Sequence, residues 1–285
     1  MKGVCTFFTM VFLLAGFTAA HAVNVSLGVN AWYLWWLPNF EDNFRGDGNA
    51  ITAADPANYS QAYGDTWTLD PGFMVGPVLT LQISEQWSLG LIALFSQEFT
   101  VESSYKIDAP IYAYTNTARH TLNIRRYDGD LTVNYRISPG LGLFGGFKYL
   151  QWDGSGTYDI TTIPNVYTAH TDHTTEGRQT GPALGLSFAH PLAGTLFFTA
   201  SASGLLMRTR EENRVVTTDT TPSYSDVTTK KKYWSRGFNG MAGLGYHIAS
   251  MRSTLLIGWR YQYLRNEDVP RDIFYGVTAT AMYTF

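Results

Sequence analysis

Asp128 and Asp130 are two carboxylates separated by one glycine, in the run Arg125-Arg126-Tyr127-Asp128-Gly129-Asp130. A close carboxylate pair is the minimum equipment for general acid–base work, because mutual repulsion can hold one member protonated. Here cations surround the pair. Arg125 and Arg126 precede it, and Lys148 follows on the next apolar segment. Carboxylates among cations sit ionised in structural pairs, which points to a polar lining rather than to catalysis. A second constellation is His170-Thr171-Asp172-His173. Two histidines and an aspartate are metal-ligand types, but a metal needs a fixed third ligand and supporting shell. A solvated, Thr-rich loop is the expectation, and no metal or cofactor is expected. Gly142, Gly145 and Gly146 precede no helix, so they are strand glycines that ease packing rather than a phosphate loop.

The elements that must position these residues are strands. The last thirteen residues alternate: Tyr275, Val277, Ala279, Ala281, Tyr283 and Phe285 against Gly276, Thr278, Thr280, Met282 and Thr284. This is the two-residue period of a strand with one apolar and one small or polar face. Nine earlier segments read the same way, at about 25–37, 72–83, 87–99, 125–137, 141–152, 179–189, 195–207, 238–248 and 253–264. Short connections near 84–86, 138–140, 190–194 and 249–252 alternate with long ones near 38–71, 100–124, 153–178 and 208–237 and a shorter fifth near 265–272. Ten antiparallel strands with unequal ends predict a closed transmembrane barrel with short periplasmic turns and long extracellular loops. Eight or twelve strands are the alternatives, with 104–114 the place for a hidden hairpin. Pro77 and Pro182 fall inside strands and predict bulges.

Composition agrees. Only 15% of residues are charged and 15% are aromatic, with 27 glycines, a balance that suits strands with one face in lipid and aromatic girdles at its edges. Lys2, the apolar Phe7–Phe17 run and Ala20-His21-Ala22 form a secretory signal peptide over 1–22, leaving a barrel domain over 23–285 in the bacterial outer membrane. The single cysteine, Cys5, lies in that signal, which excludes thiol chemistry and disulfides from the mature barrel. Mature charge is 19 basic against 23 acidic residues, giving no reason to expect nucleic acid.

Strand parity then assigns the lumen. Glu98, Asp128, Asp130, Asn134, Arg136, Lys148, His247, Arg260 and Gln262 are expected to point inward, with Asp130 opposite Lys148 across a tight turn. Inward Phe144, Leu150, Phe197, Leu256 and Phe274 would help to fill a barrel of this size. Arg208, Arg210, Lys230, Lys231, Lys232 and Arg236 are expected at the outer rim, joined by Arg119, Arg125, Arg126 and Arg178, where cations can bridge lipopolysaccharide phosphates.

A terminal Phe on an amphipathic strand, here Tyr283 to Phe285, resembles the signal that the barrel-assembly machinery reads in outer-membrane proteins. The ten-strand plan with long outer loops resembles the omptins, whose site is a carboxylate pair plus an Asp–His pair at the extracellular rim. That resemblance does not extend to the site: Ser96-Gln97-Glu98-Phe99 and Glu102 bring no paired aspartate, and RTREENRVVTTDTTPSYSD has no histidine. Asp130-Leu131-Thr132-x-x-Tyr135-Arg136 followed by Leu143-Phe144-Gly145-Gly146-Phe147-Lys148-Tyr149 resembles strand pairs of porin-like proteins of Gram-negative bacteria. The expectation is a non-enzymatic, porin-like protein with a narrow or largely filled polar lumen that passes or binds small solutes. A surface protein recognising partners through its loops is the alternative, and an omptin-like protease the third.

Overall fold

The computed structural model describes residues 24–37, 60–63, 71–109, 114–163, 167–219, 224–265 and 272–285. The expected signal peptide and most of the first long connection lie outside them. The strands are β1 (Asn24–Leu37), β2 (Ser60–Tyr63), β3 (Gly72–Gln82), β4 (Trp87–Ser96), β5 (Phe99–Ala109), β6 (Tyr114–Ser138), β7 (Leu141–Ile163), β8 (Tyr167–Ala193), β9 (Leu196–Asp219), β10 (Tyr224–Ile248), β11 (Ser253–Arg265) and β12 (Asp272–Thr284). Among the described residues no helix is long and apolar enough to cross a membrane.

The ring has ten positions, in the order β1-β3-β4-β6-β7-β8-β9-β10-β11-β12, and β1 closes it by pairing with both β12 and β3. β4 and β5 occupy successive stretches of one neighbour, β6, at 127–135 and 114–124. β5 therefore prolongs β4, and β2 pairs with β5 as β3 pairs with β4. The described residues at 104–109 and 114 do belong to a hairpin, β5–β6, as the alternative placed it, but it prolongs β4 and adds no position to the ring.

Two expectations about the strands are corrected. The stretches 100–124, 153–178 and 208–237 are largely wall rather than loop, since β6 to β10 run 23 to 27 residues. A tilted strand needs only ~9–11 residues to cross a bilayer. The two strand prolines cause no bulge: the β3–β4 register is unchanged between Val75↔Phe95 and Val78↔Ile92, and the β8–β9 register between Thr180↔Arg208 and Ala183↔Leu205. Register shifts fall instead beside the turns, at Arg136/Ser138 and Pro191/Ala193.

The outer surface defines an apolar band. At its short-turn edge Trp87 packs on Tyr135 at 4.8 Å and Tyr283 on Phe285 at 5.0 Å. The terminal amide of Phe285 also donates to the Val25 carbonyl at 2.9 Å, which ties the last residue to β1. At the far edge Trp35 stacks on Tyr275 at 5.7 Å and on Trp259 at 6.0 Å. Tyr275 and Tyr283 share β12 and are about 27 Å apart along it, or about 20 Å in height at a barrel's tilt. Between them lie exposed Leu27, Val29, Leu131, Val133, Leu184, Leu186, Leu244, Leu255 and Ile257. That is the reverse of a water-soluble protein and the pattern of strands whose outer face meets lipid.

The interior holds two apolar clusters. The larger joins Trp32, Leu34, Trp36, Met74, Leu94, Phe99, Leu122, Ile124 and Phe274, with Trp152 packed against it. The smaller joins Leu150, Leu205, Met207 and Leu264. Trp152 has room because the residue opposite it on β8 is Gly177, where a Cβ would fall inside the indole ring. Gly177→Val is therefore expected to destabilise the barrel by roughly 1–3 kcal/mol through overpacking. Urea unfolding followed by the gel-mobility difference between folded and unfolded barrel checks this, and an unchanged midpoint would contradict it.

Candidate functional site in the lumen

β6 turns Arg126, Asp128 and Asp130 into the lumen, because these even positions oppose the odd positions that carry Leu131 and Val133 outward. The Pro139-Gly140 turn sets the β6–β7 register so that Asp130 pairs with Lys148, as expected from the sequence. Lys148 is fully buried, and its ammonium donates to Asp128 Oδ1 at 2.8 Å and Asp130 Oδ1 at 2.9 Å. The third cation comes from across the ring. Arg260 on β11, five ring positions from β6, donates from Nη2 to Asp130 Oδ2 at 3.1 Å and lies 3.7 Å from Asp128 Oδ2. Arg126 Nη2 lies 3.6 Å from Asp128 Oδ2.

Aromatic rings complete the cluster. The Arg126 guanidinium sits 3.5 Å from the Phe274 ring centre and that of Arg260 4.5 Å from Trp32. Arginine tolerates such faces because its planar cation is weakly hydrated. Phe274 stacks on Trp36 at 5.3 Å, Trp36 meets Phe99 at 5.9 Å, and the Trp36 Nε1–H donates to buried Asp272 at 3.4 Å. Asp272 and Arg126 border the same small cleft, so three carboxylates answer three cations across this level of the lumen. Desolvating a lysine is costly, and only two carboxylates with short contacts offset it.

Below the cluster, toward the short turns, a cavity of ≈ 250 Å³ has Asn30, Asn239, Ser201, Ser203 and Thr280 in its wall and Asp130 and Arg260 at its closed end. Asn134 and Ser187 line both this cavity and the open mouth, where Arg136 and Glu85 stand. Above the cluster the lumen narrows to a cleft of ≈ 20 Å³ between Trp36, Trp152, Gln179 and Glu211.

Asp128, Asp130, Lys148 and Arg260 all face the lumen, with Asp130 opposite Lys148 as expected, and the contact of Arg260 with them comes from the structure alone. Gln262 is fully buried on β11, and Asn134 lines the cavity. Arg136 is exposed at the mouth, and His247 is exposed near the same end, its ring in contact with the Thr254 hydroxyl at 3.2 Å. Glu98 is a correction. The break between β4 and β5 reverses parity, so Ser96 and Phe99 both point inward while exposed Glu98 pairs with exposed Arg125 at 3.0 Å. Arg126 is another correction, since it is buried in the lumen and not at the rim. Trp32 and Trp36 were missed, although the even parity of β1 (Asn30, Trp32, Leu34, Trp36) carries the signal.

The 170–173 run lies on a strand, not in a loop. His170 and Asp172 face outward, with His170 Nδ1 2.6 Å from Asp159, while His173 faces inward, 5.9 Å from the buried His120 ring. Among the described residues no cluster fit to hold a metal occurs. This histidine pair stands well above the apolar band. Burial, then the neighbouring His173 charge, lowers the His120 pKa to about 4, and burial also lowers that of His173.

On the outer surface of the long-strand end, register sets Arg178 opposite Arg210, Arg210 opposite Lys232, and Arg236 opposite Arg265. Arg208 lies opposite Trp234 on the same face, and Lys230 pairs with Glu212 at 2.9 Å. Lys231 takes the other parity, opposite Glu211, and so does not belong to the outward group.

No family model and no curated protein matches the chain. Solved structures do. The outer-membrane protease OmpT from Escherichia coli is 12% identical, with 92% of this chain and 96% of that chain covered and a TM-score of 0.53. The fold is that of the bacterial outer-membrane β-barrels. A major outer-membrane protein from Thermus thermophilus is 14% identical over 93% of this chain and 100% of that one, with a TM-score of 0.32. Neisserial surface protein A is 13% identical over 60% and 95%, with a TM-score of 0.27.

The buried charges have measurable consequences. Lys148→Ala leaves buried Asp128 and half-buried Asp130 without their closest cation and is expected to cost roughly 3–5 kcal/mol, read from the urea midpoint; a loss under about 1 kcal/mol would mean the site is hydrated. The folded His120 pKa lies below its unfolded value. The barrel should therefore keep this contribution above about pH 6.5 and lose it as pH falls toward 4, by up to roughly 3 kcal/mol. His120→Gln should flatten the urea midpoint between pH 7.5 and 4.5, and an unchanged acid sensitivity would refute the assignment.

Proposed function

We propose that the protein is a non-enzymatic outer-membrane barrel of porin-like design whose lumen is closed at rest. Small polar solutes enter its membrane-level half from the periplasmic mouth and stop at the ion cluster. The carrying observation is Lys148, fully buried between Asp128 and Asp130 with Arg260 reaching them from the opposite wall. Water does not reach Lys148, and Arg260 crosses the lumen at the same level to meet Asp130. The non-enzymatic reading rests on the same contacts, because both carboxylates of the lumenal pair are held by cations and none is free to shuttle protons. The resemblance to a protease is one of fold, and fold does not carry activity.

The length of β6 to β10 favours a second reading. A wall continuing more than ten residues past the bilayer requirement builds a tall extracellular surface, which suits recognition of another cell or macromolecule. The rows of outward cations at its base suit phosphates of the outer leaflet, since like charges placed opposite one another destabilise a sheet unless an anion lies between them.

Planar-bilayer recording of refolded protein tests the leading reading. The wild type is expected to be silent, and an Asp130→Ala, Lys148→Ala double variant to show resolvable steps. Steady wild-type conductance would refute the closed lumen. Arg210→Ser, Lys232→Ser should weaken copurification of lipopolysaccharide several-fold, and equal recovery would remove the phosphate contact.

A further inference from the structure

The cavity beneath the ion cluster has the chemistry of a binding site and not only of a vestibule. Asn30 is buried on β1. Its amide nitrogen donates to Thr278 Oγ1 at 3.2 Å and Thr280 Oγ1 at 2.6 Å, while its Oδ1 has no hydrogen-bond partner among the described residues. Asn239 Oδ1, on β10, is likewise unpartnered and borders the same space. Both oxygens are enclosed in the wall, so the polar groups left to an occupant are wall hydroxyls such as those of Ser201 and Thr280, which donate and accept.

Charge narrows the choice. The closed end is internally balanced: Asp130 gives Oδ1 to Lys148 and Oδ2 to Arg260. A charged solute would lose its hydration here and find no free counter-charge. The wall offers hydroxyls, which donate or accept as required, and Phe144, Met241 and Leu256 give it an apolar side. A volume of ≈ 250 Å³ lies just under the ~300 Å³ at which small-molecule sites begin. The route in is the mouth, through Asn134 and Ser187.

We infer that this cavity binds a small uncharged polyhydroxylated solute, of the size of one sugar ring or cyclitol, taken up from the periplasmic side. The inference rests on the closed-lumen reading, which makes the cavity blind. The solute's hydroxyl groups donate to and accept from the Ser and Thr hydroxyls of the wall, and the ring's C–H face lies against the apolar side. An oligosaccharide is too large, and an amino acid or organic acid carries unanswered charge.

The test is saturation-transfer NMR on the refolded barrel in a zwitterionic detergent, which avoids sugar headgroups. The probes are D-glucose and myo-inositol, with glucosamine and gluconate as the charged comparators. Transfer to a neutral probe is expected, with both charged comparators at least about tenfold weaker. Ser201→Phe, which fills the cavity from β9 and replaces no ion-cluster residue, is expected to abolish transfer. If that variant does not fold, Thr280→Val, which removes a wall hydroxyl, should weaken binding about tenfold. No transfer to either neutral probe, equal transfer to gluconate or glucosamine, or undiminished transfer in the cavity variant would overturn the inference. Conductance of the same preparation separates the two failures: steady steps overturn the closed lumen, whereas a silent barrel that binds no polyol overturns this site alone.

Discussion

The contact on which the rest of the structure depends is the one Arg260 makes with Asp130 across the lumen. A ring of strands is held by its ladders, but a ladder fixes only neighbours. Arg260 on β11 joins a carboxylate on β6 that also holds Lys148 of β7, so opposite walls are tied at one height. Everything below that height opens to the short-turn mouth, and everything above it is a separate compartment floored by Trp32, Trp36 and Phe274.

The cluster is stable for a reason that also makes it a poor catalyst. Desolvated charges persist only when each is answered, and the answers here are geometric: two oxygens for one ammonium, ring faces for two guanidiniums. One carboxylate oxygen, Asp128 Oδ2, is left without a hydrogen bond, and two guanidiniums stand over it at 3.6 and 3.7 Å. The site does have a mechanical character, because losing one member leaves the others uncompensated and favours hydration of the whole level. In the closed lumen proposed here, electrostatics both closes the barrel and is the means of opening it.

Legibility in the sequence followed the solvent on each face. Where the outer face meets lipid, apolar residues alternate with small or polar ones, so the parity that put Asp130 opposite Lys148 could be read directly. Above the bilayer that contrast disappears. Runs such as His170–Thr175 and Asn213–Thr218 present polar groups on both faces, and they read as loops although they are wall. The Glu98 error has a different origin: a strand break one residue out of phase reverses every inward assignment beyond it. Arg126 was hidden by its neighbour, since two adjacent arginines share a composition but not a face, and only Arg125 is outward. The tie to Arg260 joins residues 130 positions apart on opposite walls, and no local pattern announces that contact.

Lysine acetylation of the folded barrel, read by mass spectrometry, tests the closure most directly. A small amine-reactive ester reaches any lysine in contact with water. Lys148 is fully buried, whereas Lys230 and Lys232 stand on the exposed surface. A closed lumen predicts that Lys230 and Lys232 are modified while Lys148 stays unmodified until the barrel is unfolded. Modification of Lys148 in the folded barrel at a rate near that of the surface lysines would mean a hydrated, open lumen and would contradict closure by the ion cluster.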